Sequence, residues 1–108
     1  MIKVMVRGRA ASIVKTNADQ ITSGSVGLKL YFSFDDEWTG LTKTAVFQNG
    51  SNSASVSIVN DECTVPANLI VTPGSYLEIG VIGTNGSTVT IRTVYASVLV
   101  YLGAKDGA

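Results

Sequence analysis

Three carboxylates and an indole stand side by side in Asp35-Asp36-Glu37-Trp38, the densest acidic run of a 108-residue chain and its only tryptophan. Hard cations gather several carboxylate and carbonyl oxygens, so the run could begin a calcium site. Trp38, Thr39 and Gly40 follow, however, and no acidic residue returns before Asp61, which leaves a local cage incomplete. The simpler expectation is a solvated turn at a strand end, with an Asp or Glu side chain accepting from backbone N–H groups. Paired with Asp61-Glu62, the run could also supply two carboxylates for glycoside hydrolysis. That chemistry depends on their separation, which the sequence leaves open.

Other constellations are weaker. The chain has no histidine, so a Ser-His-Asp triad and a Cys-His pair are both excluded. Catalysis would need a carboxylate, lysine or tyrosine base, and no spacing recommends one; no catalytic residue, metal site or cofactor is expected. Gly80, Gly83 and Gly86 recur every third residue, but neither a following helix nor a Gly-Lys-Ser/Thr step is present to make a phosphate cradle. Arg7 and Arg9 with Tyr31, Tyr76, Tyr95 and Tyr101 suggest base stacking. Yet 8 basic residues balance 8 acidic ones at a net charge of +0, so no overall field draws nucleic acid or anionic lipid. Neutrality also leaves little self-repulsion and so favours association.

The single cysteine, Cys63, cannot form an intrachain disulfide and reads as a small buried apolar side chain. Met1 to Arg7 carries no signal-peptide pattern, and Val94 to Leu102 is far shorter than the roughly 18 apolar residues of a spanning helix. A soluble product made in a cytoplasm is expected.

These residues must be positioned by strands. Glycine, serine and threonine punctuate the sequence at short intervals, with 2 prolines and few strong helix formers. Ile2-Val4-Val6 and Ala11 to Lys15 predict two strands around a Gly8-Arg9 corner, followed by a turn-rich stretch from Asn17 to Gly24. Leu28, Leu30, Phe32 and Phe34 alternate with Lys29, Tyr31 and Ser33. Lys43 to Phe47 and Ala54 to Ile58 bracket a hairpin at Asn49-Gly50, whose residues suit positive φ. Further strands are expected at Cys63 to Val65, Tyr76 to Ile82, Thr88 to Thr93 and Val98 to Leu102, with one helical turn or a crossover at Ala67 to Ile70. About eight short strands without a normal helix predict a single all-β domain over residues 1–103, an antiparallel β-sandwich of Ig-like or jelly-roll-like type. Residues 104–108 read as a linker-like tail.

Trp38 itself has two readings. It could plug an end of the sandwich, with Gly40 turning the backbone and Leu41 completing an apolar cap. It could instead be an exposed anchor for a sugar ring or a partner subunit. Burial is favoured by the Gly-Leu step and the strand that follow.

The acidic-Trp38-x-Gly40-Leu41-x-Lys43-x-Ala45-Val46-Phe47 run resembles a segment of Firmicutes phage and prophage virion structural proteins. The resemblance continues in order through Asp61-Glu62-Cys63-Thr64-Val65-Pro66, Leu69, Pro73-Gly74 and Leu77 to Gly83, covering residues 28 to 103. It implies an N-terminal β-sandwich module of the baseplate-upper, tail-fibre or head-fibre kind, located in the virion. Such a module would self-associate and dock onto a tail, baseplate or capsid neighbour without catalysis, and trimers would suit a fibre-bearing site. Trp38, Gly40, Leu41, Lys43, Val46 and Phe47 carry the resemblance and are assigned to fold maintenance. No nucleic-acid or membrane partner is implied. The alternative is a carbohydrate-binding module for a host-surface glycan, motivated by Trp38 and the four tyrosines.

Overall fold

The computed structural model describes residues 1–15 and 19–104. Period-two alternation of apolar side chains gives strands almost throughout. In chain order they are β1 (Ile2–Arg7), β2 (Ala10–Lys15), β3 (Ile21–Thr22), β4 (Lys29–Phe34), β5 (Thr42–Asn49), β6 (Asn52–Ser57), β7 (Glu62–Thr64), β8 (Tyr76–Asn85), β9 (Thr88–Arg92) and β10 (Ala96–Tyr101). Single 3₁₀ turns occupy Asp36–Trp38 and Ala67–Leu69. The second stands where the sequence expects a helical turn, just after Pro66, whose nitrogen lies on the side of β7 away from β4, where an edge strand tolerates proline.

The strands form two sheets, one ordered β2-β1-β4-β7 and the other β3-β10-β8-β5-β6. The long strand β8 pairs with β10 along Tyr76–Ile79 and with β9 along Ile82–Asn85. The domain is the expected all-β, sandwich-like fold. Two pairings depart from a purely antiparallel order: β4 runs parallel to β1, and β3 runs parallel to β10. The first follows from the connection. After β2 folds back on β1, the chain visits the opposite sheet as β3 before β4 enters beside β1 in the same direction, and such a crossover makes parallel neighbours.

The core lies between the sheets. Ile2, Val4, Val6, Leu30 and Phe32 face it from one side, and Ala45, Phe47, Leu77, Ile79, Val81, Val98 and Val100 from the other. Burying each large apolar side chain contributes about 1.5–3 kcal/mol, which makes this interior the main stabilising term. Ile21 belongs to it as well, fully buried although the sequence reads its surroundings as turn. A two-residue strand has no visible alternation, so its burial could not be read from pattern. Residues 17 and 18 of that stretch, and 105–108 of the expected tail, lie outside the described residues.

Tight turns set the register. Asn49 pairs with Asn52 and Asn85 with Thr88, so the central residues of both hairpins are Gly-Ser. Gly50 and Gly86 take φ of 62° and 64°, and the preceding asparagines do not share it. The glycine alone therefore supplies the left-handed step, at the first central position, where a Cβ would be strained. At Asn60-Asp61 both central residues are left-handed, φ 53° and 58°, and Val59 and Glu62 exchange backbone hydrogen bonds of 3.0 and 3.1 Å around them. Asparagine and aspartate tolerate this conformation best among non-glycine residues.

Cys63 is buried on β7, and burial pushes its thiol from an ordinary 9.0 up to about 11. A raised folded pKa favours the protonated fold, so stability is at its full value below the unfolded pKa and falls as pH rises through the window from about 9 to about 11. Native protein is expected to resist thiol reagents at pH 8 and to react once unfolded. Denaturation at stepped alkaline pH should show the decline in the natural chain and less of it in Cys63→Ala.

Candidate functional site

The segment that concentrates the rare residues leaves β4 at Phe34 and turns through the 3₁₀ segment into β5. Asp35 directs this turn. Its Oδ1 accepts from the Glu37 backbone N–H at 3.2 Å, capping the 3₁₀ turn, and its Oδ2 accepts from the Gly8 N–H at 2.7 Å. The Asp35 N–H in turn donates to the Val6 carbonyl at 3.2 Å. The acidic run thus binds backbone, as a capped turn does.

Trp38 is fully buried, and its Nε1 donates to the carbonyl of Gly8 at 2.9 Å. Both polar groups of Gly8 are consequently held from one short segment, the N–H by Asp35 and the C=O by Trp38. An indole buried in an apolar interior needs a partner for its one donor, and the β1–β2 corner provides it. The ring lies 5.4 Å from that of Phe34 at 42°, and Phe34 stacks on Phe32 at 5.9 Å. On another side the indole lies against β8 at Gly83. A Cβ there would come within 2.8 Å of Trp38 Cζ3, 2.8 Å of Ile91 Cγ2 and 2.9 Å of Leu41 Cδ1. Gly83 leaves the room that the indole and Leu41 fill.

The remaining motif residues divide between two faces. Gly40 is exposed, with φ of 78°, where the chain swings into β5. Lys43 donates to the Leu41 carbonyl at 3.3 Å and holds its ammonium 5.1 Å from the centre of the Phe34 ring, a cation–π contact of about 0.5–1 kcal/mol at an exposed site. Phe47 points into the core. Val46 points the other way, onto the outer face of the large sheet beside Gly80, Ile82 and Tyr95. Tyr95 covers Gly80 so closely that a Cβ would lie 3.3 Å from its Cδ1.

Outside the buried indole runs an open cleft of about 300 Å³, lined by Phe34, Asp35, Asp36, Trp38, Thr39, Gly40, Lys43 and Asp61. The fold thus brings Asp61 toward the first acidic run. Its neighbour Glu62 turns away to an ion pair with Lys29 at 3.1 Å, and this partner raises the Lys29 pKa through its hydrogen bond and its charge. Asp35 has both oxygens engaged by backbone. Among the described residues no three His, Cys, Asp or Glu side chains are grouped to hold a metal ion. The arrangement is a polar, open cleft over a buried apolar plug.

Compared with models of known protein families, with curated proteins and with solved structures, the chain matches none. The roles of Gly8 and Gly83 escaped the sequence reading, since both act through contacts across the fold. The only local signal was the Arg7-Gly8-Arg9 corner.

Replacing Trp38 by Ala is expected to cost about 3–5 kcal/mol, and Gly83→Ala about 1–3 kcal/mol through overpacking. Chemical denaturation checks both. Wild-type stability in either variant would show that the plug is not tightly packed.

Proposed function

We propose that this chain is a virion structural module that self-associates and docks onto a neighbouring virion protein without catalysis. The ordered resemblance from residue 28 to 103 suggests it. The observation that carries it is the outer face of the large sheet, which holds apolar side chains in an exposed setting. Tyr76 lies opposite Leu99 in the β8–β10 register, and Tyr101 follows Leu99 on the same face of β10. Tyr76 is 60% exposed and Tyr101 42%, and beyond the hydrogen-bonded Gln48–Glu78 pair on the same face Val46, Ile82 and Tyr95 form a second apolar patch. Exposed apolar and aromatic patches rimmed by polar residues are the usual mark of an interaction site. An open sheet face suits docking between subunits better than enclosing a small substrate.

The glycan alternative now rests on tyrosines. A fully buried Trp38 cannot stack a sugar ring, whereas Tyr76 is 60% exposed and Tyr101 42%, the latter with the Lys15 ammonium over its ring at 5.4 Å. The two readings separate cleanly. A virion module should be found in purified phage particles at a fixed copy number by quantitative mass spectrometry, and Tyr76→Ala with Tyr101→Ala should reduce its incorporation. Absence from the particles, together with Tyr76-dependent binding on a glycan array, would overturn the assembly reading in favour of the alternative.

A further inference from the structure

Edge strands expose unpaired backbone donors and acceptors, and folded β-proteins usually guard them with charge, proline, bulges or brevity. Among the described residues, four of the five edges are guarded. β3 has two residues, and β7 has three, set between Asp61-Glu62 and Pro66. β9 carries Arg92 and a register shift against β8, and β2 runs between Arg9 and Lys15. β6, Asn52-Ser53-Ala54-Ser55-Val56-Ser57, has none of these devices: six residues without charge or proline, in unbroken register with β5.

The hydrogen-bond phase shows which backbone groups are unpaired. Ile58 N–H donates to the Lys43 carbonyl at 3.0 Å, and these two residues stand opposite each other by the register Thr44↔Ser57. Position 43/58 is therefore a hydrogen-bonded pair, and by alternation so are 45/56, 47/54 and 49/52. The N–H and C=O groups of Ser53, Ser55 and Ser57 point away from β5. Among the described residues no strand pairs with that side.

We propose that β6 pairs antiparallel with β6 of a second copy of this chain, with Ser55 on the two-fold axis. This deepens the assembly reading above and rests on it for its biological purpose. The register places Ser55 opposite Ser55 and Ser53 opposite Ser57, each as a hydrogen-bonded pair exchanging two bonds. Ala54 falls opposite Val56, so the half-buried inner side chains continue the core across the junction. A foreign strand could use the same edge, but the self-pairing sets serine against serine on the outer face and alanine against valine on the inner one, and it opposes no like charges. A two-fold contact of this kind is self-complementary and closed. It joins the two large sheets into one and leaves the Tyr76 and Tyr101 surface of each copy free for the neighbour. The product is a dimer, so a trimer would need a different surface.

Cysteine scanning of the full chain under mild oxidation tests the register, with Cys63 buried and out of reach. In a hydrogen-bonded antiparallel pair the two Cα atoms at position 55 would be about 5.5 Å apart, within disulfide range. S55C is expected to form a covalent dimer rapidly. S53C should not, because its own copy lies roughly 14 Å away along the strand, whereas S53C mixed with S57C should cross-link. Ser55→Lys sets two ammonium groups face to face without touching a bond inside the subunit. It should convert a sedimenting dimer to monomer with an unchanged circular dichroism spectrum. A wild-type chain that stays monomeric at several hundred micromolar, or a dimer that S55K leaves intact, overturns the proposal. Cross-linking at position 55 in a protein absent from virions would uphold the edge and refute the virion reading; virion incorporation without it would do the reverse.

Discussion

One residue is held through both of its backbone polar groups. Gly8 donates to Asp35 and accepts from Trp38, and those two side chains sit on a single 3₁₀ turn three residues apart. Net stabilisation from each bond is modest, about 0.5–1.5 kcal/mol for a neutral donor and acceptor and more where a carboxylate takes part. Their importance lies in geometry. The corner between β1 and β2 is tied to the exit of β4, which also pairs with β1, so the first sheet is closed at this end. The indole that makes one of the bonds then reaches the second sheet at Gly83, where only hydrogen leaves it room. Corner, turn and opposite sheet are thereby fixed relative to one another.

Much follows from that constraint. With Trp38 committed to the interior and Asp35 to backbone, the motif that concentrates rare side chains offers little free chemistry. Lys43, Asp36 and Asp61 remain around an open cleft, and Glu62 is paired with Lys29. The proposed assembly would use the outer face of the large sheet and the β6 edge, with backbone pairing and aromatic anchors as the source of affinity.

The alternating strands were legible because period-two patterning is strong in β1, β4, β5 and β8. The β5–β6 hairpin was legible through Asn49-Gly50, although the turn sits one residue later than that dipeptide suggests. The buried Trp38 and the capped acidic turn followed from the Gly-Leu step and the incomplete ligand set. Other features are not local properties. β3 is two residues long and owes its place to Ile21 filling the core, and the parallel pairing of β1 with β4 depends on where the crossover passes. Gly83 reads as one of three evenly spaced glycines after a strand, and its packing role emerges only once Trp38 is placed against it. Asp61 reaches the first acidic run only through the left-handed Asn60-Asp61 turn. Val46, read as part of the fold motif, faces outward, since alternation gives two faces and does not say which one lies inside until the neighbouring strands are known.

Trp38 is a buried clamp rather than a recognition surface, and because it is the chain's only tryptophan its fluorescence reports on it alone. Acrylamide quenching of the native protein, compared with the unfolded chain, is the most direct measurement. The predicted result is blue-shifted emission almost untouched by quencher until the protein unfolds. Emission at the position of free indole in water, quenched as readily in the native state as in the unfolded one, would contradict the account.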